Sequence, residues 1–278
     1  MSDLPDLLQL TEAGDRRYTV FQPAESAEGR DVVFSGQLLG QMMMASDRNA
    51  EGKDIRSVHA VFARAGSYLS PIEVDVESLQ AGRTWASDTV TARQNGKLLS
   101  RATVLMNVVD ADLMRHGPAM PDAPGFADLS PSSGAQAFPG AELRAVPGEQ
   151  TNGDVPVEMA WHRFQRPVES PAANQAVLVW ATCGYLIGLA MRPHADTVDF
   201  GQAHVSLSTG VIGHTVHFLE RFDVSRPLLI THEATKAATG RVYGQGSVFT
   251  EDGVLVAAFH QDAMAKDAGR TLDPRTAM

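Results

Sequence analysis

The chain has 278 residues, enough for one large domain or two ordinary ones, and its 44% hydrophobic content can supply a real core. A formal net charge of −10 argues against capture of nucleic acid by the overall field, and a single cysteine, Cys183, excludes an internal disulfide framework and a multi-cysteine zinc site. Residues 1–10 carry no basic segment followed by an apolar one, so no signal peptide is read and a reducing, cytoplasmic setting is expected.

Residues 1–30 are polar and acidic, with 18–21 as the clear strand-like run. A helix is predicted from Ser35, read as an N-cap, through Leu38, Leu39, Met42, Met43 and Ser46 at helical spacing. Its apolar breadth marks it as buried, and Gly36 and Gly40, one turn apart, admit a close neighbour. Met43 and its two methionine neighbours either line a deformable acyl pocket or fill core gaps. Strands follow at 57–62, 72–76, 84–93 and 98–109, with Ile72, Val74 and Val76 alternating against Glu73, Asp75 and Glu77. Residues 113–140 are rich in proline and read as a surface linker.

The second half repeats this order. A strand at 157–164 precedes Ser170-Pro171, an N-cap with a first-turn proline, and one long apolar helix over 172–191. Gly184 and Gly188 echo Gly36 and Gly40, and Asn174, Gln175 and Thr182 favour a core helix over a membrane span. Strand-like runs come at 203–207, 214–219 and 228–232. The stretch 240–264, GRVYGQGSVFTEDGVLVAAFHQDAM, is a hairpin around Asp252-Gly253. It matches 82–106, where Asn95-Gly96 takes the turn and His59 is read as the counterpart of His214. One unit is used twice.

Several pieces in order carry a resemblance: FSGQ-x-x-GQ at 34–41, His59-x-x-Phe62-x-Arg64-x-Gly66, Gly184-Tyr185, His214-Thr215-x-x-Phe218, and DGVLVA at 252–257 followed by Gln261. Over about residues 16–266 the chain resembles the acyl-CoA thioesterase II (TesB-like) family. The resemblance implies an α+β double hotdog, two antiparallel sheets each wrapped around a central helix, with repeats at 1–112 and 141–278 joined by a linker at 113–140. It also implies hydrolysis of an acyl-CoA thioester by water without a cofactor, and it raises the expectation of a homo-oligomer. The residues themselves, with no metal-ligand spacing of histidines, no apolar run of about 20 residues and a net negative charge, lead to the expectation of no metal, no membrane span and no nucleic acid.

In that family an aspartate, a hydroxyl residue and a glutamine hold the water. By spacing these fall here on Gly188, Val211 and Gln261, so only the glutamine is kept. The catalytic candidates are therefore Gln261 and His214, with Gly184, Tyr185, Gly188, Val211, His59 and Met43 as substrate contacts. His217, His260 and His204 are weaker acid–base candidates, and Asp262, next to Gln261 on a strand, is expected to face the other way. Cys183, in an apolar helix, reads as an ordinary buried thiol. Three readings stay open: a thioesterase with a substituted catalytic group, a degenerate binder of acyl-CoA or another apolar ligand, or another enzyme on the same cavity.

Overall fold

The computed structural model describes residues 8–22, 31–50, 52–132, 140–148 and 150–273. Alternating sequence becomes one-sided sheet: in β3 (Asp54–Phe62) Val58, Ala60 and Phe62 are buried while His59 and Val61 are exposed. β4 (Ile72–Ala81) buries Ile72, Val74 and Val76, and β5 (Trp85–Gln94) and β6 (Lys97–Asn107) continue the layer. The β5–β6 turn places both Asn95 and Gly96 at positive φ, 50° and 73°, which matches the twist of the strands it joins. Before β3 come the short β1 (Thr11–Gly14) and β2 (Arg17–Val20).

The second half supplies β7 (Ala141–Ala145), β8 (Gln150–Asn152), β9 (Val155–Phe164), β10 (Leu207–Phe218), β11 (Leu228–Ala238), β12 (Arg241–Thr250) and β13 (Leu255–Asp267). All belong to one 13-stranded sheet, ordered β1-β2-β4-β5-β6-β3-β10-β13-β12-β11-β9-β7, with β8 on β9. The order from β2 to β3 is mirrored from β10 to β9, and antiparallel pairing of β3 with β10 joins the copies edge to edge. Neither copy leaves that edge unpaired. This is a double hotdog.

The central helices pack against each other. Helix α1 (Ser35–Asp47) starts at Ser35, so Phe34 rather than Ser35 is its N-cap, and no side chain caps it. The Phe34 N–H is instead satisfied by Gln22 Oε1 at 2.7 Å. Helix α2 (Pro171–Thr182) does begin as its sequence suggests, with Ser170 Oγ accepting from the Ala173 N–H at 3.0 Å. A side chain on Gly36 would come within 2.7 Å of Cys183 Cβ, and one on Gly40 within 3.1 Å of the Ala176 carbonyl oxygen, so both glycines permit the α1–α2 contact.

The expected single helix over 172–191 is two pieces. It stops at Thr182, and Gly184, at φ +123°, redirects the chain into α3 (Tyr185–Met191). Residues 203–207 are not a strand either: a 3-10 turn at Phe200–Gln202 leads into turns and an isolated bridge before β10. Among the described residues, Pro171–His194 is the one helical stretch long and apolar enough to cross a membrane, and most of it is buried inside this fold. Part of the proline-rich connection, 133–139, lies outside the described residues. Its preceding portion packs on the outer sheet face, where Phe126 lies beneath the Arg144 and Arg163 guanidiniums, 4.0 and 4.7 Å from its ring centre. Trp161 Nε1–H donates to the Pro124 carbonyl at 2.9 Å.

Candidate active site

The inner faces of the two sheet halves differ in chemistry. In the first half, buried inward positions such as Val58, Ala60, Val90, Ala92 and Val104 are apolar, with Asp88 of β5 accepting from the α1 hydroxyl of Ser46 at 2.7 Å as an exception. Beneath the α2–α3 break in the second half, four strands instead carry polar groups inward: His214 on β10, Gln261 on β13, His232 on β11 and His162 on β9, none more than 3% exposed. Between them, β12 presents Gly244 and Gly246, whose missing side chains leave room for Leu186 and the Phe259 ring.

Thr182, the last residue of α2, ties the histidines to the helix. Its Oγ1 lies 3.1 Å from His214 Nε2, and its backbone hydrogen-bonds the His232 ring. His214 Nδ1 lies 3.3 Å from the Gln261 amide nitrogen, as their direct pairing across β10 and β13 requires. Gln261 in turn hydrogen-bonds the Cys183 thiol, which also meets the Gly36 backbone in the first turn of α1. The cluster thus runs from the N-terminus of one central helix to the broken end of the other. An N-terminus of this kind presents unpaired N–H groups and a positive dipole end to a developing oxyanion.

Burial sets the protonation states. His214 and His232 are pushed down to about 3 and His162 to about 4, chiefly because desolvation penalises the charged ring. All three are neutral at neutral pH. The same desolvation pushes the Cys183 thiol up to about 12 and raises Tyr185, with Glu158 adding to the effect on Tyr185. Glu158 faces His232 across the β9–β11 ladder and is ion-paired with Arg192. Among the described residues no carboxylate hydrogen-bonds Gln261, His214 or His232. Within this cluster Gln261 Oε1, His232 Nε2 and His162 Nδ1 are buried without a hydrogen-bond partner.

Of the residues singled out from sequence, Gln261, His214 and Tyr185 meet here, with Gly184 at the turn beside them. Tyr185 lies edge-on to His162 at 5.7 Å and tilted over His232 at 5.2 Å. Val211 is buried on β10 at a bulge before His214. Gly188 lies half-buried in α3, one turn beyond Tyr185, and the residue that meets Gln261 from the helix is Cys183. Met43 is wholly buried in the core formed by both halves.

His59 is not the counterpart of His214. It faces out and lies 2.5 Å from Thr215 Oγ1 on the outer surface, because equivalent inward positions pair Phe62 with Phe218 and so His59 with Thr215. His217 is exposed on that outer face, and Asp262 also points outward to pair with Arg241. Thr182, His232 and His162 were missed in the sequence. A signal existed for His232, which continues the inward parity of Leu228 and Ile230.

Among the described residues no group of His, Cys, Asp or Glu is arranged to hold a metal ion. Two family models match the chain: residues 23–107 fit the acyl-CoA thioesterase N-terminal domain, and residues 138–267 fit acyl-CoA thioesterase. Acyl-CoA thioesterase 2 of Haemophilus influenzae is 25% identical over 96% of this chain and 98% of its own. Human acyl-coenzyme A thioesterase 8 is 23% identical over 84% of this chain and 80% of its own. The crystal structure of acyl-CoA thioesterase II TesB2 from Mycobacterium marinum superposes with a TM-score of 0.81 at 22% identity, covering 96% of this chain and all of that one. The two matched segments share one continuous double-hotdog sheet and together span most of the chain, which belongs to the acyl-CoA thioesterase family.

Proposed function

We propose that the protein hydrolyses an acyl-CoA thioester to the free acid and CoA at the cluster beneath the α2–α3 break. The observation that carries this reading is the hydrogen-bonded line from Thr182 through His214 and Gln261 to Cys183, which ends at the Gly36 backbone in the first turn of α1. A thioester carbonyl directed at that helix end would place its developing negative charge against the α1 dipole, in a site shielded from water. Gln261, with its amide nitrogen held by His214, would fix the direction of the attacking water through its unpaired oxygen.

His214 and Gln261 are the proposed site residues, with Gly184, Tyr185 and Val211 around the acyl group. The cytoplasmic setting and assembly into a homo-oligomer belong to the same proposal. Thiol release from short, medium and long acyl-CoAs tests the reading, and turnover with at least one chain length is the expected result. The absence of a hydrogen-bonded carboxylate among the described residues favours a second reading, a protein that binds acyl-CoA without cleaving it. Saturable binding with no thiol release at any chain length would establish that second reading.

A further inference from the structure

His214 and His232 both grip Thr182, yet their ring nitrogens are used differently. On His214, Nε2 faces Thr182 Oγ1 at 3.1 Å and Nδ1 faces the Gln261 amide nitrogen at 3.3 Å, so both nitrogens are engaged. The His232 ring hydrogen-bonds the Thr182 backbone, and its Nε2 is buried without a partner. A neutral imidazole has one N–H and one lone pair. With Nδ1 donating to the Thr182 carbonyl, the proton is fixed there and Nε2 is left as a bare acceptor.

A ring whose N–H is anchored on a backbone carbonyl and whose other nitrogen is buried and unpartnered has the arrangement of an oriented general base, one that burial keeps weakly basic until a donor reaches it. Leaving such an acceptor unpaired is destabilising, and a bound donor offsets that cost. Gln261 Oε1 and His162 Nδ1 are further buried, unpartnered atoms in the same cluster, and the Phe259 ring packs against both His214 and His232, at 5.9 and 5.1 Å between ring centres. Unpartnered acceptors of this kind call for a donor with hydrogens to give, and water is one.

We infer that His232, and not His214, takes the proton from the water that attacks the thioester, an inference that rests on the hydrolytic reading above. The water oxygen bonds to the thioester carbon while one of its protons passes to His232 Nε2. The resulting oxyanion rests at the α1 N-terminus. As the C–S bond breaks, His232 returns the proton to the departing CoA sulfur, giving the acid and the free thiol. His214 is a positioning residue that holds the Gln261 amide. His162, Tyr185 and the Glu158–Arg192 pair surround His232 on the remaining sides.

The test is His232→Gln, which can keep the donor to Thr182 but cannot act as a base, beside His232→Ala supplied with imidazoles of graded basicity. A fall in kcat of about 100-fold or more in His232→Gln, with KM within about threefold, is expected. Rescue of His232→Ala should rise with the basicity of the added imidazole, a dependence that a purely structural role would not produce. Wild-type turnover with His232→Gln retaining kcat within about threefold, or rescue indifferent to basicity, would overturn the inference alone. Wild type that releases no thiol overturns the hydrolytic reading and the inference with it. Should both variants fail to fold, nitrogen-15 spectra of wild-type histidines decide: the Nδ1–H tautomer at His232, with an Nε2 resonance moved by a non-hydrolysable acyl-CoA thioether, is expected. An Nε2–H tautomer would refute it.

Discussion

Gly36→Ala tests the junction on which the site depends. The added methyl would lie 2.7 Å from Cys183 Cβ, 2.9 Å from Phe34 Cε1 and 3.1 Å from the Trp180 backbone Cα. The Phe34 ring can swing aside, whereas the Trp180 backbone and the Cys183 Cβ are held by α2 and the turn after it. Overpacking of this kind costs about 1–3 kcal/mol, partly offset by the better helix propensity of alanine. A net loss of about 1–2 kcal/mol follows, or roughly 2–3 °C in Tm for a chain of this size. The helix end would also move off Cys183, so thiol release should fall by more than the stability loss explains. Gly117, where an added methyl would meet nothing within 4 Å, provides the control. Thermal melts and thiol release on Gly36→Ala and Gly117→Ala decide the matter. Equal melting and equal activity would refute the close packing of α1 on the α2–α3 break.

Three more outcomes follow from burial. Because His162, His214 and His232 titrate near 4, 3 and 3 when folded but near 6.5 when unfolded, the unfolded chain takes up protons first as pH falls. Their contribution to stability is present above about pH 6.5 and is lost progressively toward pH 4 to 3, by roughly 1 kcal/mol per histidine between pH 7 and 5.5. Denaturant titrations at those two pH values should show the loss, with a smaller one in His162→Gln; equal acid sensitivity in that variant would contradict its burial as a neutral ring. Cys183, buried and with its thiol pushed up to about 12, should resist a thiol reagent in the native state and react as the single thiol after denaturation. Rapid native labelling would show that the site is open. Phe126→Ala should remove about 3 kcal/mol and shift Trp161 fluorescence to the red as the outer face is uncovered, whereas an unchanged melt would show that the connection contributes nothing to the fold.

Much of the architecture was legible because one face of most strands is buried. Ile72, Val74 and Val76 on β4 and the Asn95-Gly96 turn leave little freedom in register. The helix break was not legible, since Gly184 inside an apolar run looks like a tolerated helical glycine until its positive φ is seen. The mistaken pairing of His59 with His214 has a similar origin: strand-like runs that begin alike in sequence are offset by one position in the sheet, which puts the two rings on opposite faces. Gln261 and His214 could be found because they continue strand patterns and a family motif. His232, Thr182 and Cys183 could not be assembled, because what unites them is the end of α2 over four strands from different parts of the chain.

The most direct measurement is kcat for thiol release in Gln261→Ala beside Asp262→Asn, two neighbours on β13 that point to opposite faces of the sheet. Chemistry on the inner face predicts a loss of about 100-fold or more for Gln261→Ala, the scale for removing a group that orients or polarises the reacting atoms, and a wild-type value for Asp262→Asn. Equal activity in the two variants, or a loss confined to Asp262→Asn, would place the chemistry elsewhere and contradict the account.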